Sequence, residues 1–105
     1  MKILVISTPV FRLGSSGAFG YAGLEHLAWQ QAKGLAAKGH QVALAAPDGS
    51  TCPGVQIVPV GPERQVNEQM AFEKYLPLAM DADVILDHTW NKYTAFGRMD
   101  GRIKA

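Results

Sequence analysis

Gly14-Ser-Ser-Gly-Ala-Phe-Gly-Tyr-Ala-Gly-Leu-Glu25 stands between an unbroken apolar run, Ile3-Leu-Val-Ile6, and a segment with helical periodicity from Leu24 to Lys38. The order strand, glycine-rich turn, helix is that of an α/β protein. Glycine is needed where the backbone must take φ > 0 or approach a ligand with no Cβ in the way. The free N–H groups of the helix start favour negative charge there. Two readings of the turn stand at this point, a ligand cradle and a plain connector.

Outward from that stretch, Lys2–Ser7 is apolar throughout rather than alternating, as buried parallel strands are. Leu24, Leu27, Ala28, Gln31, Ala32, Leu35 and Ala36 fall on one helical stripe, with Trp29, Gln30, Lys33 and Lys38 largely off it. Gly39 is a natural helix stop. Val42–Ala46 is a second strand, and Pro47-Asp-Gly49 a turn. Val55–Val60 is a third strand, with Pro59 placing it at a sheet edge. Only about eight residues separate the second and third strands, so an antiparallel pair is expected. Asn67 caps a second helix to about Leu76, where Pro77 is expected to kink or restart the chain. Val84–Leu86 is the fourth strand, ending on Asp87-His-Thr-Trp90.

The fold class is therefore α/β, a Rossmann-like β-α-β-β-α-β unit. Right-handed crossovers predict the sheet order 3-2-1-4, with strand 3 antiparallel at the edge. Strands 1 and 4 then flank a topological switch point, where open α/β sheets bind ligands at the strands' carboxyl ends. The glycine stretch and Asp87-His88-Thr89 converge on that crevice, which favours the ligand reading.

The bulk properties narrow the function classes. The chain has 105 residues, 48% hydrophobic and 18% charged, as befits one soluble globular domain. A net charge of +1 lends no support to nucleic-acid binding. Charge is uneven: residues 1–91 hold six Lys/Arg against eight Asp/Glu, whereas residues 92–105 hold Lys92, Arg98, Arg102 and Lys104 against Asp100. Residues 94–105 read as a basic tail without assigned structure. The single cysteine, Cys52, permits no internal disulfide and fits a reducing cytoplasm. The first apolar run is too short for a signal peptide, and no segment approaches the roughly 18 apolar residues of a membrane span. A cytoplasmic chain is expected, with peripheral membrane contact left open.

The candidate chemistry centres on the crevice. The glycines form neither Gly-x-Gly-x-x-Gly nor a P-loop. Asp48 follows strand 2, where a nucleotide-binding domain places its ribose-binding acid, but Asp-Gly is also an ordinary turn. Glu25, in the first helical turn, either complements the helix dipole or braces the loop and a sugar hydroxyl. His26 and His40 have no partner at metal-ligand spacing, so no metal is expected. His88, at a strand's carboxyl end beside Asp87, is the candidate catalytic or ligand-binding imidazole. Trp90 and Tyr93 either stack on a ligand or cover the core.

Four segments in order then resemble a known family. They are Met1-Lys-Ile-Leu-Val-Ile-Ser-Thr-Pro9, Gly20-Tyr-Ala-Gly-Leu-Glu25, Leu35-Ala-Ala-Lys-Gly-His-Gln-Val-Ala-Leu-Ala-Ala-Pro47 and Asp83-Val-Ile-Leu-Asp-His88. Over residues 1–93 the chain resembles the N-terminal domain of family 4 glycosyltransferases of the GT-B type. The resemblance implies retaining transfer of sugar from a nucleotide-sugar, with neither cofactor nor metal. It implies that Tyr21, Ala22 and Gly23 lie near the donor diphosphate and that Glu25 steadies that loop. Ala22 stands where the family has glycine. His88 would line the acceptor side, with Asp87, Thr89 and Trp90 around it. The resemblance reaches only about half of that domain, and the family's Glu-x-x-x-x-x-x-x-Glu donor domain is not in the sequence. The chain is thus expected to be an acceptor-side fragment, inert alone, meeting nucleotide-sugar and acceptor through a further domain. The alternatives are a standalone module that self-associates through its strand-4 edge, and a small nucleotide-binding domain using Asp48.

Overall fold

The structure, a computed structural model, describes residues 1–8, 13–14, 17–18, 23–62, 67–89 and 92–105. Its elements are β1 (Lys2–Ile6), β2 (Leu13–Gly14), β3 (Gly17–Ala18), α1 (Gly23–Ala37), β4 (Gln41–Ala46), β5 (Gln56–Pro59), α2 (Glu68–Asp81), β6 (Val84–Asp87) and α3 (Tyr93–Met99). The main sheet has the order β5-β4-β1-β6, and β2 and β3 form a separate two-stranded ladder. The expected order 3-2-1-4 is the one found.

Each strand feeds two cores because successive side chains point to opposite faces. Ile3, Val5, Val42, Leu44 and Ala46 meet Ala28, Trp29 and Ala32 of α1. Leu4, Ile6, Ala43, Ala45, Val58 and Val60 meet Ala71, Phe72, Tyr75 and Ala79 of α2. The unbroken apolar runs are thus explained by helices on both faces.

The antiparallel third strand is overturned. β5 runs parallel to β4, in register from Ala43↔Gln56 to Ala46↔Pro59. The paired segment spans roughly 13 Å at 3.3 Å per residue. Residues 47–55 would reach about 30 Å if extended, so they complete the return without a helix. One turn closes as the Ser50 N–H donates to Pro47 O, and another as the Val55 N–H donates to Cys52 O, both at 3.2 Å. The segment packs on α1: the Trp29 indole donates to Thr51 O at 2.8 Å, and Cys52 lies in the α1 core. The usual minimum for a parallel crossover describes helical returns, and this return is a folded loop.

Two helix details also differ from expectation. On α1, Trp29 is buried at 5% exposure while Leu27 is 51% exposed, so the buried stripe is rotated toward Trp29. The rotation follows from the 47–55 loop, which supplies a wall and a carbonyl for the indole. α2 is capped as expected, with the Met70 N–H donating to Asn67 Oδ1 at 3.0 Å, but it continues through Pro77 to Asp81. Pro77 lies on the exposed side, while Tyr75 and Ala79 hold the helix to the sheet on both sides of it.

The basic tail has structure. α3 covers Tyr93–Met99, and Ile103 beyond it is buried beside Phe72 and Tyr75. Tyr93 stacks on Phe72 with ring centroids 5.8 Å apart. β6 pairs with β1 alone among the described residues, and its four residues are all half-buried.

Candidate functional site

β1 and β6 end side by side because their parallel register runs from Ile3↔Val84 to Ile6↔Asp87. The ladder extends one step further, with the His88 N–H donating to Ile6 O at 2.9 Å. His88 thereby stands against the carboxyl end of β1, where Ser7 and Thr8 are buried. α1 starts at Gly23. The sheet order thus places the ends of β1 and β6 side by side, as the topology predicts.

His88 meets α1 through its side chain. Its Nε2 lies 2.8 Å from Oε1 of Gln31. Burial and, next, the Lys92 ammonium lower the His88 pKa below the ordinary range, and Asp87 acts weakly in the opposite sense. A desolvated imidazole beside a cation favours its neutral form.

Asp87 is committed to holding the turn. Oδ1 accepts the Thr89 N–H at 2.8 Å and the Thr89 hydroxyl at 2.6 Å, and Oδ2 accepts the Thr94 hydroxyl at 2.6 Å. Thr89 is buried. The carboxylate thus ties the end of β6 to the start of α3. Lys92 closes the same turn from the other side, its ammonium donating to the carbonyls of Asp87 and Thr89. Lys92 is left-handed, at φ 52° and ψ 52°, a conformation costing a non-glycine residue roughly 1–2 kcal/mol. Together these bonds fix the backbone that carries His88.

Of the residues singled out from the sequence, His88, Asp87 and Thr89 are brought together at the sheet end. Gly23 begins α1. Glu25 lies in its first turn, with its side chain outside the description. Tyr21, Ala22 and Trp90 lie outside the described residues. Asp48 is exposed and accepts the Gly61 N–H at 3.1 Å, which makes it a brace between two loops. The Cys52 thiol is buried within 3.7 Å of Trp29 O, and burial raises its pKa. Leu13 and Gly14 pair with Ala18 and Gly17 in a two-stranded antiparallel ladder, Leu13↔Ala18 and Gly14↔Gly17, and Ser15 and Ser16 lie outside the described residues.

Three residues of this neighbourhood carry no role in the sequence reading: Gln31, Lys92 and Thr94. Gln31 had a signal, since it is the one polar residue on the expected apolar stripe of α1. Thr94 and Lys92 had none, because their bonds to residues 87–89 depend on where α3 folds back. Among the described residues, no group of three His, Cys, Asp or Glu side chains is placed to hold a metal ion. No helix among them is long and apolar enough to cross a membrane. No protein-family model matches the sequence, and no curated protein matches it.

Proposed function

We propose that residues 1–93 form the acceptor-side part of a GT-B glycosyltransferase, which transfers a hexosyl group from a nucleotide-sugar with retention. The observation that carries this reading is the meeting of Gln31 and His88 beside the carboxyl end of β1. Open α/β sheets bind ligands at such a switch point. The four ordered sequence segments that resemble the family add the reaction class. In this reading Tyr21, Ala22, Gly23 and Glu25 face the donor diphosphate, and His88 receives an acceptor hydroxyl. Asp87 positions His88 rather than touching substrate, because its oxygens are taken by Thr89 and Thr94. Donor recognition is supplied outside these residues.

The test is a titration of the ¹⁵N-labelled chain with free hexoses and nucleotide-sugars, followed by amide shifts and by sugar release. The reading expects shifts at residues 20–25, Gln31, His88 and Thr89, with no turnover. Shifts confined to the opposite end of the sheet, or silence with every probe, would overturn it. Turnover by the isolated 105 residues, lost on Glu25→Ala, would overturn the dependence on a further domain.

A further inference from the structure

Gln31 is a polar residue on a helix face that otherwise buries Ala28, Ala32 and Leu35 against the sheet. Its Oε1 lies 2.8 Å from His88 Nε2, across 57 residues of sequence. An amide oxygen only accepts, so the bond requires a proton on Nε2. A neutral imidazole with Nε2–H carries its lone pair on Nδ1. Among the described residues Nδ1 has no hydrogen-bond partner.

We propose that Gln31 is a positioning residue that holds His88 in the Nε2–H tautomer, making Nδ1 the acceptor for a ligand that presents an O–H donor. The two ends of the ring are thereby given different tasks. Nε2 is spent on α1, and Nδ1 remains for the ligand. A fully ionised phosphate oxygen, which only accepts, does not match a bare Nδ1; a hydroxyl does. That this hydroxyl belongs to a sugar rests on the glycosyltransferase reading, whereas the tautomer does not. The charged groups that bear on the ring, Lys92 and Asp87, both lie on the β6–α3 turn. Gln31 adds a neutral partner from α1, which fixes the proton's place without changing the charge.

Long-range ¹H–¹⁵N spectra of the imidazole, taken on the whole chain at pH 8, decide the matter. The expected result is Nε2 at the protonated position and Nδ1 at the bare position. In Gln31→Leu the two resonances should move toward each other as the tautomers mix. Gln31→Glu should restore the Nε2–H tautomer and raise the His88 pKa. A wild-type ring protonated on Nδ1, or a Gln31→Leu ring identical to wild type, would overturn the proposal. If Gln31→Leu fails to fold, the wild-type and Gln31→Glu spectra still decide it. Glucose and inorganic sulfate, a fully ionised oxyanion at pH 8 with no O–H to donate, are then added separately. A shift of Nδ1 with glucose and none with sulfate is expected. The right tautomer with no glucose response overturns the sugar reading. The wrong tautomer with a glucose response overturns the role of Gln31.

Discussion

At His88, burial and the Lys92 ammonium oppose the imidazolium more than Asp87 favours it. The folded pKa is therefore depressed below the unfolded value of about 6.5. The unfolded chain then binds more protons at mildly acid pH, so stability is fully present above that value and falls as pH drops through the folded pKa. Denaturant midpoints at pH 8 and pH 5 should differ more in the wild type than in His88→Gln. Equal differences would show that the ring does not titrate in this way. The sequence marked His88 through its place after a strand, since position relative to a strand end is a local property. It assigned Asp87 and Thr89 to the cleft as well, yet these two residues bond to each other. Adjacent polar residues look alike in sequence whether they face a ligand or one another.

α1 ends by a mechanism readable from Lys38-Gly39-His40. The Gly39 N–H donates to Ala36 O at 3.0 Å and the His40 N–H to Leu35 O at 3.3 Å, the paired bonds of a Schellman turn. Gly39 sits at φ +94°, and a Cβ there would meet nothing within 4 Å. Gly39→Ala should therefore cost only backbone strain, roughly 1–2 kcal/mol. In a domain of this size that lowers Tm by about 4–8 °C per kcal/mol, measurable by circular dichroism. An unchanged Tm would mean that the turn relaxes. α2 shows the converse case. Pro77 signals a break to any local reading, yet the helix continues because Tyr75 and Ala79 are both buried against the sheet. Packing of an apolar face outweighs the local penalty.

Across the whole molecule, the C-terminal segment belongs to the core. Ile103 is 3% exposed, and its side chain occupies the space a Cβ on Gly97 would need, 2.6 Å from that position. Ile103→Ala should destabilise by about 2–5 kcal/mol, the usual cost of such a core truncation. That is a large share of the 5–15 kcal/mol that typically holds a domain together. Urea unfolding would measure it, and a loss under about 0.5 kcal/mol, the range of ordinary surface substitutions, would show that residues 100–105 are peripheral. The basic character of residues 92–105 gave no hint of this, because charge count says nothing about one buried isoleucine. The amino-acid sequence by itself determined the four strands of the main sheet, the two long helices among them and the sheet order β5-β4-β1-β6. These follow from hydrophobic periodicity, turn residues and crossover rules, all of which act over short stretches. The tertiary structure alone decided the direction of β5, the burial of Trp29, the docking of α3 and the partnership of Gln31 with His88. Each of these depends on which surfaces meet across tens of residues. Periodicity tells a side chain that it is buried, and only the folded chain supplies its partner.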